Sequence, residues 1–194
     1  MGLKQYRNID LTVLFVIMSV IEVASGLVLS KAMSSYYLSV IMVVTLIVYM
    51  RWGFWGAIFG FAGGIMQAIL ILNIQSAVDP NAFEMQNVIK WSVAYVVGYL
   101  ATMFSMFFFK IGKKKLSEKL GYIFLYVLSS YLLMAVGRSI ALAFFGQNFF
   151  NALMGQTREL LNLVFTFLVL LVAKRQDSVF ADQKEYFETH KVRR

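Results

Sequence analysis

Seven residues with polar or aromatic side chains lie within or beside long apolar stretches of this sequence. They are Glu22, Gln67, Trp91, Tyr95, Arg138, Arg158 and Asn162. Ionisable side chains are costly inside a membrane, so they indicate function by default, although paired structural charges are common. Arg138 and Arg158 could hold a carboxylate or phosphate by charge-assisted hydrogen bonds. Trp91 and Tyr95 would pack against a ring, so we predict that the seven residues form a substrate-binding site for a small molecule.

Catalytic chemistry finds no support in the sequence. It has no HExxH motif, nucleophile elbow or close pair of aspartates within the apolar stretches, which disfavours metalloprotease and aspartyl-protease activity. A glycine loop ending in Gly-Lys-Ser/Thr is also missing, so the chain is not itself a conventional P-loop ATPase. There is no cysteine, and the one histidine, His190, lies in a polar tail. We therefore predict no catalytic residue, metal ligand or cofactor.

The composition predicts a membrane protein. Of the 194 residues, 60% are hydrophobic and 14% are charged, and the mean hydropathy is +0.71. A soluble domain of this length is closer to half apolar and a quarter charged, and it could not hide this much apolar surface. The net charge of +8 at first suggests nucleic-acid binding. However, the basic residues lie between the apolar stretches, where they report topology, so no nucleic-acid partner is expected.

Six apolar stretches approach the roughly 20 residues that a helix needs to cross a bilayer. They are residues 10–32, 36–50, 52–74, 87–109, 120–145 and 156–173. Because they are continuously apolar rather than alternating, they predict helices and not the strands of a barrel. We therefore predict an all-α bundle of six transmembrane helices, forming one domain over residues 1–174, with a polar tail over residues 175–194.

Lysine and arginine in the short loops predict the orientation of the bundle. With six spans, one side of the membrane receives Lys4, Arg7, Arg51, Lys110, Lys113, Lys114, Lys115, Lys119, Lys174, Arg175, Lys191, Arg193 and Arg194. The opposite loops carry only Lys31, Asp79 and Glu84. Both termini and the tail are therefore expected in the cytoplasm. Counting along each helix then places polar groups of five helices about 10 Å below the outer surface.

Helical spacing groups these polar residues on shared faces. The faces are Trp91, Tyr95, Gly98 and Thr102 on the fourth helix, Tyr131, Met134 and Arg138 on the fifth, and Glu159, Asn162 and Thr166 on the sixth. This arrangement favours a cavity that is open to the outside. Three alternatives stay open: a structural Glu22–Arg138 pair, membrane-interface roles for Trp91 and Tyr95, and a lipid-headgroup contact for Arg158.

Two groups of small residues predict surfaces for close helix packing. The third helix has Gly56, Gly60 and Gly64 at four-residue intervals, and the first has Ala24, Ser25 and Gly26 in succession. Packing within the chain is the simplest interpretation of the glycine series. Both groups are also candidate docking surfaces for a partner protein.

Two parts of the sequence also resemble a known family. One is Tyr49-Met50-Arg51-Trp52-Gly53 with the glycine series to Gly64. The other runs from Gly137-Arg138 through Arg158-Glu159 and ends in Lys174-Arg175-Gln176-Asp177 and Asp182-Gln183-Lys184. In these segments the chain resembles the substrate-binding S components of energy-coupling factor (ECF) transporters, and the resemblance covers most of its length.

The resemblance implies a multi-pass protein of the prokaryotic plasma membrane that binds a vitamin or related micronutrient near its outer face. It also implies a transmembrane coupling protein and two cytosolic ATPase subunits as partners, so ATP hydrolysis belongs to them. Many S components carry an alanine-x-x-x-alanine patch on the first helix for docking. Here Ala24 is followed by Val28, and Ser19 by Val23, so the docking face stays open between the two small-residue groups.

Two other functions remain alternatives. A non-transporting membrane scaffold of the MreD type would need partner surfaces but no ligand pocket. A self-sufficient secondary transporter would need coupling-ion sites and often inverted repeats, and the sequence shows no convincing internal repeat.

Overall fold

The chain folds into α-helices joined by short loops and 3₁₀ turns. A computed structural model describes residues 2–32, 38–76, 79–108, 120–176 and 183. The helices within this part are α1 (Leu3–Ala32), α2 (Ile41–Trp52), α3 (Gly56–Gln75), α4 (Met85–Ala101), α5 (Ser105–Phe108), α6 (Leu120–Phe144), α7 (Phe149–Gly155) and α8 (Leu160–Ala173). The 3₁₀ turns are Gly53–Trp55, Pro80–Phe83, Thr102–Phe104 and Gln156–Glu159.

The prediction of an all-helical chain is confirmed for the described residues, which form no strand. Three segments are long and apolar enough to cross a membrane: Leu3–Leu27, Ile41–Gln75 and Leu120–Phe144. A fourth is added if α7 and α8, which are bent by 51°, count as one span. The chain therefore has the helices of a membrane-embedded protein. The count of six spans and the cytoplasmic termini stay predictions, and the basic loop over residues 110–119 lies outside the described residues.

The apolar stretch Ile41–Gln75 is two helices that fold back on each other. Gly53, with φ +62°, interrupts the helix after Trp52. A Cβ added to Gly63 would collide with the Ile41 side chain, whereas a continuous helix would separate these residues by about 33 Å. The two helices are therefore antiparallel neighbours. At 12 residues, α2 is about 18 Å long.

The short helix α2 lies in the middle of the bundle. Nearly all of its side chains are buried, among them Ile41, Leu46 and Val48, which are fully covered. Helices α1, α3 and α8 all contact it. A helix that is enclosed by protein does not need to match the thickness of a bilayer, which gives a physical reason for its short length.

The glycine series of α3 contacts helices of the same chain. A Cβ on Gly56 would lie 2.5 Å from the Tyr49 ring, and one on Gly60 would lie 3.2 Å from Tyr99 Cβ. On Gly64 it would lie 2.8 Å from the backbone nitrogen of Val96. The three glycines thus allow α3 to pack closely against α2 and α4. Of the two predicted docking surfaces, this one is occupied by the chain itself.

The other small-residue group lies on α1, whose outer face is apolar and exposed. Val13, Val16 and Val20 expose 50% to 62% of their surface, as expected for a helix that meets lipid. Within the predicted patch, Ala24 is exposed, Ser25 is half-buried and Gly26 is buried. Only part of this patch is therefore available to a partner.

An ion pair near the N-terminal end of α1 ties that helix to the α2–α3 turn. Arg51 donates to Asp10 through Nη2, at 2.7 Å, and through Nε, at 3.1 Å. Trp52 Nε1 donates to the same carboxylate at 2.6 Å. The Tyr6 ring packs on Trp52, with its hydroxyl 2.9 Å from Gln183 Oε1. Arg51 thus takes part in a partly buried structural contact, in addition to its predicted role in topology.

Candidate ligand-binding site

Arg138 is the central charge of the candidate site. Helix α6 places it near its C-terminal end, and its side chain is fully buried. Its Nη1 donates to the Glu159 carboxylate and, at 2.8 Å, to Gln156 Oε1. The guanidinium carbon lies 3.9 Å from the centre of the Tyr95 ring, which is a cation–π contact. A buried guanidinium needs such partners, because removing it from water is costly.

The turn that supplies Glu159 and Gln156 is itself held in place. Tyr131, on α6, donates its hydroxyl to the Gln156 backbone oxygen at 2.6 Å. Gln156 Nε2 donates to the Ala152 backbone oxygen at 3.1 Å, within α7. The Tyr95 hydroxyl donates to Glu159 Oε1 at 3.4 Å, which is a long hydrogen bond. Helices α4 and α6 therefore position the counter-ion of Arg138.

Glu22 and Asn162 hold the start of α2. The Glu22 carboxylate accepts from the Ser39 hydroxyl and from the Val40 backbone N–H, both at 2.8 Å. Asn162 Oδ1 accepts from the Ser39 backbone N–H at 2.9 Å. Backbone N–H groups at a helix start lack partners within the helix, and a carboxylate there is favoured by the helix dipole. These side chains therefore join α1, α2 and α8 by satisfying buried donors.

Tyr99 links the two groups. Its hydroxyl donates to Gln67 Oε1 at 2.5 Å, which connects α4 to α3. The same hydroxyl lies beside the Ser39 side chain and within electrostatic reach of Arg138, Glu22 and Glu159. One buried polar layer therefore contains residues of α1, α3, α4, α6 and α8.

Several buried polar atoms of this layer have no hydrogen-bond partner among the described residues. They are Nε and Nη2 of Arg138 and Nε2 of Gln67. Unpaired buried donors are rare in folded proteins because each one loses its hydrogen bonds to water. Within the described residues, no three His, Cys, Asp or Glu side chains are grouped to hold a metal ion.

Of the other predicted residues, one lies at the edge of the layer and the other has a side chain that the structure does not describe. Trp91 is half-buried, and its ring lies 6.1 Å from that of Tyr95. Lys90 Nζ lies 5.6 Å from the Trp91 ring centre. The side chain of Arg158 is not among those that the structure describes, so its predicted role stays a prediction. The structure thus brings together Glu22, Gln67, Tyr95, Arg138 and Asn162, with Trp91 adjacent.

The sequence did not identify all members of the layer. Arg138 pairs with the carboxylate of Glu159, a partner that the sequence did not indicate. Glu159 had been placed on the Asn162 face but not in the site. Tyr99 follows Tyr95 by four residues, a spacing that could have indicated it. Ser39 lies within a predicted apolar span, and no pattern pointed to it.

The chain matches no protein-family model, and comparisons with curated proteins and with solved structures find no match. The site is a buried layer of mixed charge inside the helical bundle, and some of its donors have no partner within the described part of the chain.

Proposed function

We propose that the chain is the substrate-binding subunit of an ECF-type importer in a prokaryotic plasma membrane. It captures a vitamin or similar micronutrient at the outer face and passes it inward. In this proposal the chain crosses the membrane six times with both termini in the cytoplasm. A transmembrane coupling protein and two cytosolic ATPase subunits supply the energy, so the chain itself hydrolyses no ATP.

The observation that supports this proposal is the convergence of polar side chains from five helices in one buried layer. Arg138, Tyr95 and Gln67 come from three different helices, and all three are at least 97% buried. A bundle that only filled space would place apolar side chains at these positions, because polar ones cost free energy when buried. Small-molecule sites in helical bundles have this construction, with a few polar groups among aromatic and apolar walls.

The layer also lies away from the Asp10–Arg51 ion pair. Asp10 and Glu22 are separated by twelve residues of α1, or about 18 Å along the helix axis. The two polar regions are thus near opposite ends of α2. If the N-terminal end of α1 faces the cytoplasm, as the basic residues predict, the Arg138 layer lies toward the outer face.

Binding can be tested with full-length protein purified in lipid nanodiscs. Native mass spectrometry would look for a co-purifying small molecule in the wild type and in the variants Arg138→Ala and Trp91→Ala. The matched control is Val136→Ala, a partly exposed position on the same helix as Arg138. We expect the small molecule to be retained by the wild type and the control and to be lost or weakened in both site variants.

Other outcomes would support the alternatives. If both site variants bound the small molecule as well as the wild type does, this assignment of the site would be wrong. Repeated absence of any small molecule, with only proteins co-purifying, would favour a scaffold of the MreD type. Substrate transport by the isolated chain in liposomes would favour a secondary transporter.

A further inference from the structure

We propose that one edge of the Arg138 guanidinium, formed by Nε and Nη2, binds a carboxylate group of the transported molecule. Glu159 is the internal anion that holds the other side of the arginine. The inference rests on the proposed binding function and adds the chemical class of the ligand. It follows from which guanidinium atoms are already used and which are free.

The nitrogen donors of the Arg138 guanidinium fall into two groups. Nη1 donates to Glu159 and to Gln156. Nε and Nη2 are buried and have no partner among the described residues. Their N–H bonds run side by side along one edge of the planar guanidinium. This spacing matches the two oxygens of a carboxylate, which accept two parallel hydrogen bonds from such an edge.

The neighbours of Arg138 keep this edge in a fixed orientation. The Tyr95 ring covers one face of the guanidinium, and the contacts of Nη1 fix its rotation. On the α4 side stands Gly98, where an added Cβ would lie 3.5 Å from Nε and 3.1 Å from the Met134 backbone oxygen. An alanine at position 98 would therefore touch Nε, and a longer side chain would cover the edge.

Charge favours a carboxylate over a phosphate. Arg138 already has one carboxylate partner, Glu159, whose side chain is 17% exposed. A ligand carboxylate adds one negative charge to this pair, whereas a phosphate monoester adds nearly two at neutral pH. In a buried site the second charge is repelled strongly by Glu159. Glu159 therefore acts as a specificity-determining residue.

Gln67 supplies a third donor that has no partner among the described residues. Gln67 Nε2 is fully buried, and its amide oxygen is occupied by Tyr99. Since the Tyr99 hydroxyl is within electrostatic reach of Arg138, the amide is well placed to donate to a polar group elsewhere on the bound molecule. The Trp91 ring, adjacent to Tyr95, would pack against its apolar part.

The test uses full-length protein in nanodiscs and three related probes: benzoate, benzamide and phenyl phosphate. Each contains an aromatic ring, and only benzoate carries a carboxylate. Thermal unfolding would be followed at increasing probe concentration. We expect benzoate to raise the unfolding temperature of the wild type more than either of the other probes. Equal stabilisation by benzamide or phenyl phosphate, or none by benzoate, would overturn the carboxylate assignment.

Three variants separate the roles of the residues. Arg138→Lys keeps the charge but lacks the two-donor edge, so the benzoate effect should fall at least tenfold in apparent affinity. Gly98→Ala keeps every charge and places a methyl group 3.5 Å from Nε, so benzoate should bind more weakly. Its approach to the Met134 backbone oxygen, at 3.1 Å, should also lower the ligand-free unfolding temperature, so the benzoate effect is measured relative to the ligand-free variant. Glu159→Gln removes the competing charge, so affinity for benzoate should rise about tenfold or more and phenyl phosphate should begin to bind. Unchanged probe selectivity in Gly98→Ala and Glu159→Gln would contradict the proposal even if Arg138→Lys failed to fold.

The failure of this inference can be told apart from that of the proposed function. Small molecules released from the purified wild type would be analysed by mass spectrometry before and after carbodiimide coupling to methylamine, which modifies carboxylates. A released molecule that needs Arg138 but is not modified would overturn the carboxylate assignment and leave the binding function standing. If neither a released molecule nor a bound probe were found, the binding function itself would fail.

Discussion

Removal of the Glu159 carboxylate tests whether Arg138 is a buried charge that depends on its ion pair with Glu159. In Glu159→Ala the guanidinium stays fully buried and, among the described residues, keeps Gln156 as its one hydrogen-bond acceptor. Breaking a buried ion pair by removing one partner costs about 3–5 kcal/mol, because the remaining charge is uncompensated. The Glu159 side chain is 17% exposed, so water can replace part of the contact. We therefore expect a loss of about 3 kcal/mol, at the lower end of that range.

The assay is thermal unfolding of the purified chain in nanodiscs. For a chain of this size, 1 kcal/mol corresponds to a change in Tm of about 2–4 °C, so Glu159→Ala should lower the Tm by roughly 6–12 °C. The control is Thr157→Ala, an exposed position in the same 3₁₀ turn. It loses a hydrogen bond to the Met154 backbone oxygen but no buried charge. Its Tm should therefore change by about 2–4 °C or less.

A double variant makes the test specific to the charge. Arg138→Met combined with Glu159→Met removes both charges and keeps most of the volume, so its stability should return to within about 1–2 kcal/mol of the wild type. The double variant would then be more stable than Glu159→Ala alone. If Glu159→Ala melted like the wild type, or if the double variant were the less stable of the two, the reasoning from a buried, paired Arg138 would be refuted.

The other predictions concern packing and two carboxylates of α1. Gly64→Ala should destabilise the chain by about 1–3 kcal/mol through overpacking, whereas Gly121→Ala, where an added Cβ meets nothing within 4 Å, should be neutral or slightly stabilising; equal Tm values for the two would contradict the close contact. Asp10→Asn should weaken its contact with Arg51 by about 1.5–3 kcal/mol and speed amide hydrogen exchange in the first turns of α1, and unchanged exchange would count against this anchor. In Glu22→Gln, one of the two carboxylate oxygens that accept from Ser39 and Val40 is replaced by an NH₂ group. One of these hydrogen bonds is then lost, which should lower stability by about 1–3 kcal/mol; a wild-type Tm would show that the start of α2 does not depend on the carboxylate.

Helix periodicity was enough to predict much of the layer. Counting residues from the ends of the apolar stretches placed Glu22, Gln67, Tyr95, Arg138 and Asn162 at one depth, and the structure brings them together. The count works because rise per residue is nearly constant in a helix. The burial of the glycine face of α3 follows from the same regularity.

The partners of each side chain could not be predicted in this way. Whether Arg138 meets Glu22 or Glu159 depends on how α1 and α8 are placed around α6, and spacing within one helix carries no information about that. Ser39 lies outside regular helix, just before α2 begins at Ile41, so it had no periodicity to mark it. The grouping of these polar residues could thus be predicted from the sequence, whereas their individual contacts depend on tertiary packing.

The structure divides the predicted site residues by the use of their hydrogen-bonding atoms. Glu22 and Asn162 use their side-chain oxygens on Ser39 and Val40 at the start of α2. A ligand that contacted these oxygens would have to release buried backbone donors, at a cost of about 1–3 kcal/mol for each one left unpaired. Nε and Nη2 of Arg138 have no partner among the described residues, so a ligand there would use donors that those residues leave unoccupied. The ligand should therefore contact Arg138 directly, while Glu22 and Asn162 act by holding α2 in place. Substitutions of Arg138 should change the affinity for the ligand, whereas substitutions of Glu22 or Asn162 should change mainly the stability of the fold.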